Sequence, residues 1–125
     1  MYSTQLYPVG IISRPKAGLQ HWGVLLSDYR VVHCAPLRGE HVSSSEEFAA
    51  GEDITFVRVL APSDHAETMN RISHSLRNPK AYDAITNNCQ MFANRVTGAD
   101  PDSPDLKAIV ALTICAAIVS VAASR

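Results

Sequence analysis

The sequence predicts an α+β fold in which an antiparallel sheet packs against helices. Its first half carries two strand-like runs joined by a Ser-Asp turn at residues 21–36, and another apolar, β-branched run at 54–60. Its second half shows helical spacing instead, at 64–77 and from residue 88 to a stop signal at Gly98.

Composition fits one globular domain with an apolar surplus. The chain has 125 residues, of which 46% are hydrophobic and 18% charged, which is enough to bury a core without disulfides. The net charge is -1 and no stretch is dense in Lys or Arg, so nucleic acid is not an expected partner. Three irregularly spaced cysteines favour a reducing, cytoplasmic compartment, and residues 1–12 lack the pattern of a signal peptide.

The first strand is expected at residues 6–13, as an edge strand or extended lead-in because Pro8 and Gly10 interrupt it, with a basic loop at 14–18. The hairpin that follows carries His21 and His33 at the far ends of its two strands. Both imidazoles face one side of the sheet only if the loop at 27–29 has three residues or a bulge. Cys34 then points to the opposite face and into the core.

Residues 37–53 are expected to form a connection with one short helix, capped by Ser44 or Ser45, in which His41 is exposed. The apolar run at 54–60 is typical of a central strand buried on both faces. A capping box at Asp64 and Glu67 predicts the start of the next helix, which Asn78-Pro79 ends.

Cys89 is placed in the first turn of the following helix. Asn87 and Asn88 are favourable N-cap residues, and Cys89, Phe92 and Val96 recur at helical spacing. Unpaired backbone N–H groups and the helix dipole favour a thiolate there, so we expect a lowered cysteine pKa. The alternative is an inert cysteine used for packing.

A nucleophilic thiol needs a base, and the base needs a group that orients its ring. Cys89, His21 and His33 can fill these three roles as the catalytic residues. No spacing typical of structural zinc occurs, so we expect no metal or other cofactor. A metal held by these same three side chains is the alternative.

Two motifs carry a family resemblance. The first contains His21-Trp22-Gly23, Val31-Val32-His33 and Ala35-Pro36, and the second contains Tyr82-Asp83, Asn87-Asn88-Cys89-Gln90 and Phe92-Ala93-Asn94. In these motifs the chain is similar to the lecithin:retinol acyltransferase-like branch of the NlpC/P60 superfamily. A weaker similarity extends from Gly10 to Gly98. The resemblance implies a circularly permuted papain-like fold, with Cys89 as nucleophile, His21 as base and acid, and His33 as the polar partner of His21.

One departure from the family lies beside the nucleophile. Many members read Asn-Cys-Glu-His-Phe, whereas this chain has Gln90 and Met91 after Cys89. Neither position belongs to the triad, so the change concerns hydrogen bonding around the sulfur.

The sequence divides into a domain at residues 1–98, a polar linker at 99–107 and a hydrophobic helix at 108–124, which Lys107 and Arg125 bracket. The helix is apolar on all sides and has the minimum length for a bilayer span. The resemblance implies a membrane anchor, which we favour over a helix packed on this domain or on a partner.

These features predict a cytoplasmic, membrane-associated thiol hydrolase or acyltransferase that acts on acyl lipids through an acyl-enzyme. The first alternative is a peptidase or amidase of the NlpC/P60 type, with a peptide substrate. The second is a catalytically silent interaction module, as in some viral 2A proteins with the same motifs.

Overall fold

The computed structural model describes residues 8–123, and for residues 114–123 it describes the helical backbone alone. The start of the predicted strand at 6–13 and the predicted apolar face of the tail beyond residue 113 lie outside this description. The elements in order are β1 (Gly10–Lys16), β2 (Leu19–Leu25), β3 (Arg30–Ala35), β4 (Gly39–Ser44), α1 (Ser45–Ala49), β5 (Thr55–Val59), a 3-10 turn (Pro62–Asp64), α2 (His65–Arg77), α3 (Cys89–Val96) and α4 (Pro104–Ala123).

The five strands form one antiparallel sheet in the order β4-β3-β2-β1-β5. Helix α3 packs across β2 and β3, and α1 packs on β3 and β4. The predicted α+β class, an antiparallel sheet packed against helices, is confirmed.

The two faces of the sheet have separate cores. The α3 face buries Ile11, Val24, Val32 and Cys34 together with Phe92 of α3. The α1 face buries a second, smaller cluster, which consists of Ile12, Leu25, Val31 and Phe48. Cys34 is therefore a core residue, as predicted.

The β2–β3 hairpin has the predicted register. Val24 pairs with Val32 and Leu25 with Val31, so paired positions sum to an even number. The loop has three residues, and Tyr29 closes it in the left-handed region at φ 69°. Consequently His21 and His33 lie on the same face of the sheet.

Two strand predictions are wrong. The run at 54–60 is not a central strand, because within residues 8–123 β5 pairs with β1 alone, at the edge of the described sheet, and all residues of β5 are exposed. Edge position depends on chain topology, which the apolar composition of a strand does not report. Conversely, β1 is an interior strand that continues through Lys16, so the predicted basic loop at 14–18 shrinks to a turn at Ala17 and Gly18.

The helix starts are partly as predicted. The Ser44 hydroxyl caps α1 by accepting from the Glu47 N–H at 3.1 Å. Asp64 makes no side-chain cap hydrogen bond, because the chain enters α2 through the 3-10 turn, so the predicted capping box is wrong. Helix α2 ends at Arg77, just before the predicted Asn78-Pro79 stop.

Helix α4 begins earlier than the hydrophobic segment predicted at 108–124. Its first residue is Pro104, and the preceding Ser103 accepts from the Leu106 N–H at 3.2 Å as an N-cap residue does. No helix in the described part of the chain is both long enough and apolar enough to cross a lipid bilayer.

Candidate active site

Cys89 is the first residue of α3, as predicted. The preceding Asn88 has an extended backbone, and its side-chain Oδ1 accepts from the N–H groups of Gln90 and Met91, each at 3.0 Å. With Asn88 as its N-cap, the helix begins at Cys89. The Cys89 N–H belongs to the first turn of the helix, whose N–H groups have no acceptor within the helix.

The start of α3 lies where β2 separates from β3. These strands pair only at Val24 and Leu25 of β2 within the described chain, so the earlier peptide groups of β2 are open to other partners. Cys89 Sγ donates to the Gln20 carbonyl at 3.8 Å, and the Trp22 N–H hydrogen-bonds to the sulfur. The thiol is thus fixed against the backbone of the strand that carries His21.

The two predicted histidines form a hydrogen-bonded pair under α1. His21 Nε2 lies 2.9 Å from His33 Nδ1, and His33 Nε2 lies 3.0 Å from the hydroxyl of Ser43. Phe48 stacks on the His21 ring at a centroid distance of 5.2 Å and meets the His33 ring edge-on. Both imidazoles are consequently buried and held in one orientation.

Hydrogen-bond donors and acceptors assign the protons along this chain. The Ser43 hydroxyl donates to the Ser44 carbonyl at 3.0 Å, so its oxygen accepts from His33 Nε2–H. A neutral imidazole has one N–H, which makes His33 Nδ1 the acceptor of His21 Nε2–H. The lone pair of His21 is therefore on Nδ1, and that nitrogen is the available base.

Both imidazoles are neutral at pH 7. Burial is the largest cause that lowers the pKa of His21 to about 4, and the charges of Lys16 and Arg14 lower it further. Burial, followed by the charge of His41, lowers the pKa of His33 to about 3. The base is thus unprotonated and ready to accept a proton.

The expectation of a lowered Cys89 pKa is wrong. Burial raises the pKa of the thiol, and the charge of Asp105 raises it further. Hydrogen bonds from the Trp22 and Gln90 N–H groups and the charge of Lys16 act in the opposite direction without outweighing burial. The helix start does favour the thiolate, but Cys89 is only 9% exposed, so the loss of hydration on burial outweighs the effect of the helix.

Cys89 and His21 line one cavity of about 240 Å³. His33 reaches this cavity only through its hydrogen bond to His21. The structure therefore brings all three predicted catalytic residues into one assembly, although the thiol hydrogen bond goes to a backbone carbonyl rather than to an imidazole. The other lining residues are Lys16, Ala17, Leu19, Gln20, Pro36, Tyr82, Ala84, Asn88, Gln90, Ser103, Asp105, Leu106 and Ile109.

His41 is not an exposed loop residue, contrary to the expectation. It lies half-buried in β4 directly opposite His33, with 4.2 Å between the ring centroids, and its Nδ1 donates to the Gly39 carbonyl at 2.8 Å. Ser43, two residues further along β4, was also missed. Alternation along β4 could have placed both side chains on the histidine face once the pairing of β3 with β4 was known.

A buried carboxylate positions the segment before Cys89. Glu40 accepts from Ser75 at 2.7 Å, from Asn87 at 2.9 Å and from Arg95 at 2.7 Å. Burial alone raises the pKa of Glu40, but these hydrogen bonds together lower it below its ordinary value. Asn87 is therefore tied to β4 and α3, which leaves Asn88 as the helix cap.

No group of three or more His, Cys, Asp or Glu side chains among the described residues is arranged to hold a metal ion. Comparison with protein-family models gives no match, and comparison with curated protein sequences gives none either.

Proposed function

We propose that this chain is a cysteine-dependent acyl hydrolase or acyltransferase of the lecithin:retinol acyltransferase-like type, with the permuted papain-like fold of that branch. The observation that carries the proposal is the shared cavity of Cys89 and His21, with His21 fixed by His33. A buried nucleophile, an unprotonated base and an orienting group are the three parts that thiol acyl transfer requires.

The reaction starts from a neutral pair. Cys89 Sγ attacks the ester carbonyl while its proton moves to His21 Nδ1, which gives a tetrahedral intermediate with an oxyanion. Collapse of this intermediate breaks the ester C–O bond, and His21 returns the proton to the leaving alkoxide. The product is an acyl thioester on Cys89, which water or an amine then cleaves with His21 again as the base.

Two groups in the cavity can stabilise the oxyanion. The Cys89 N–H is one, because the first N–H of a helix has no internal acceptor. We assign the second role to Tyr82, whose side chain lines the cavity. Burial raises the pKa of its hydroxyl, so that hydroxyl stays protonated and can donate.

The lining favours an ester of a fatty acid over a peptide. Apolar side chains dominate the cavity wall, with Leu19, Pro36, Leu106 and Ile109 among them. We further propose that the tail beyond residue 108 anchors the protein on the cytoplasmic side of a membrane, where such esters are concentrated. The uncharged sequence from 108 to 124 supports this anchor.

The test uses the full-length chain and three substrates: phosphatidylcholine vesicles, a water-soluble thioester and a peptide panel. We expect release of fatty acid from the vesicles by the parent protein and none by Cys89→Ser, with no cleavage of peptides. Cleavage of peptides without release of fatty acid would replace the proposal with an amidase.

A silent interaction module is the second candidate, because two observations favour it. The thiol donates to the Gln20 carbonyl instead of an imidazole, and burial raises its pKa. Absence of turnover on all three substrates, together with absence of a covalent Cys89 adduct, would establish this candidate.

A further inference from the structure

Gln90, one of the two residues that depart from the pattern of the resembled family, connects the start of α4 to the site. Its side chain is only 2% exposed. Oε1 accepts from the Ser103 hydroxyl at 2.7 Å and from the Asp105 N–H at 3.0 Å, while Nε2 donates to the Gln20 carbonyl at 3.2 Å. One buried amide thus bonds both the first turn of α4 and the strand β2.

A second contact closes this arrangement. The Asp105 carboxylate accepts from the Gln20 N–H at 2.8 Å, so both polar groups of the Gln20 backbone are bonded to it or to Gln90. We call these four residues, Gln20, Gln90, Ser103 and Asp105, the Gln90 latch. The Gln20 carbonyl also accepts from the Cys89 thiol, so the latch and the nucleophile share an acceptor atom.

The chemistry of the latch requires an amide at position 90. Gln has both a donor and an acceptor group, and the latch uses the two on opposite sides. A carboxylate there could not donate to the Gln20 carbonyl, and it would add a second negative charge next to Asp105. A glutamate at position 90 is therefore incompatible with α4 held in this position.

The latch places Leu106 and Ile109 in the wall of the cavity that holds Cys89. Leu106 is half-buried, and Ile109, about one turn later, is 45% exposed. Leu112, further along α4, does not line the cavity and is 71% exposed. Among the α4 side chains that the structure describes, those that line the cavity therefore belong to the first two turns.

We propose that the start of α4 is one wall of a binding site for a single acyl chain, with Leu106 and Ile109 as its specificity-determining residues and the Gln90 latch as its support. This inference deepens the proposed function and depends on it for the identity of the ligand. A cavity of about 240 Å³ lies below the roughly 300–1,000 Å³ of ordinary ligand pockets, so it has room for a segment of one acyl chain and not for a whole diacyl lipid.

The experiment measures binding without turnover, in full-length Cys89→Ser protein, by fluorescence titration with dansyl-labelled undecanoic acid. We expect Leu106→Ala to weaken binding about five- to tenfold, because it removes most of one apolar wall. Ile109→Trp should fill the cavity and weaken binding at least as much, and its partly exposed position keeps the fold intact. Leu112→Ala is the matched control on the same helix and should bind like the parent.

The latch is tested in the same assay. Gln90→Glu should weaken binding to the same extent and speed amide hydrogen exchange in residues 103–109, and Leu112→Ala should change neither. Unchanged affinity in both Leu106→Ala and Ile109→Trp would overturn the inference, and so would absence of probe binding by the parent. If wild-type protein hydrolyses the ester and Ile109→Trp hydrolyses it at the same rate, the inference about α4 is wrong and the proposed function stands.

Discussion

His21 Nε2 lies 2.9 Å from His33 Nδ1, and this contact assigns the base nitrogen of the site. Because Ser43 accepts from His33 and donates to the Ser44 carbonyl, the His21 proton is directed to Nε2. The lone pair on His21 Nδ1 therefore depends on the Ser43 hydroxyl, which contacts His33 and not His21 itself. A residue outside the predicted set of Cys89, His21 and His33 therefore also helps to orient the proposed base.

Ser43→Ala should slow acylation of Cys89 about fivefold, because His33 loses the acceptor that fixes its tautomer, and one hydrogen bond is worth roughly 1 kcal/mol. The affinity for substrate should be unchanged, since Ser43 does not line the cavity. Single-turnover kinetics of thioester formation measures this. Ser43→Thr should restore the rate. Ser13→Ala, which removes another buried strand hydroxyl that bonds Thr55, is the control and should leave the rate unchanged.

The free energy of unfolding should fall as pH decreases from about 6.5 to about 4.5. In the unfolded chain both histidines have a pKa of about 6.5 and become protonated below that pH. In the folded protein the pKa of His21 is about 4 and that of His33 is about 3. The unfolded state then binds more protons, which costs the fold about 1.4 kcal/mol per pH unit for each histidine. Urea unfolding at several pH values measures the slope.

Glu40 has a lowered pKa, so its contribution to the free energy of unfolding is also lost on acidification, but at lower pH. The change between pH 6.5 and 4.5 therefore reports on the histidines. His33→Gln should reduce the slope, and His74→Gln, at an exposed position on α2, should keep it. A parent protein whose stability is flat between pH 6.5 and 4.5 would contradict the neutral buried pair.

Alkylation of Cys89 by iodoacetamide should rise about tenfold per pH unit from pH 6 to pH 8. The thiolate is the reactive form, and the raised pKa keeps its fraction small over this whole interval. Mass spectrometry of the Cys89 peptide separates this reaction from alkylation of Cys34 and Cys115. A plateau near neutral pH would instead indicate a preformed thiolate–imidazolium pair.

Deletion of residues 106–125 should leave a folded domain that no longer floats with phosphatidylcholine vesicles. The truncation removes the proposed anchor and both apolar wall residues of α4, but it retains Ser103 and Asp105 of the Gln90 latch. Circular dichroism and vesicle flotation measure the two effects. An insoluble product would show that α4 completes the core, and unchanged flotation would exclude the tail as the anchor.

The local parts of the site could be predicted from the sequence. A three-residue loop between β2 and β3 places His21 and His33 on one face of the sheet, and the Asn88 cap places Cys89 at a helix start. Both features depend on residues that are close in sequence. Properties that depend on distant segments of the chain could not be predicted from the sequence. The exposure of β5 depends on sheet order, and the Cys89 pKa depends on how deeply α3 and α4 bury the sulfur. The Ser-Pro pair at 103 and 104, which falls within the predicted linker, is a signal that could have located the start of α4, as an N-cap and a first-turn proline.

The most direct measurement of the central claim is covalent capture of an acyl group. Full-length protein is incubated with an activated fatty-acyl thioester, quenched in acid and analysed by peptide mass spectrometry. Our account predicts a hydroxylamine-sensitive acyl adduct on Cys89 that forms in the parent and is lost in His21→Ala, while Cys89→Ser retains the native fold without an adduct. An adduct that forms equally well without His21, or no adduct in the parent, would contradict the claim that these two side chains act together.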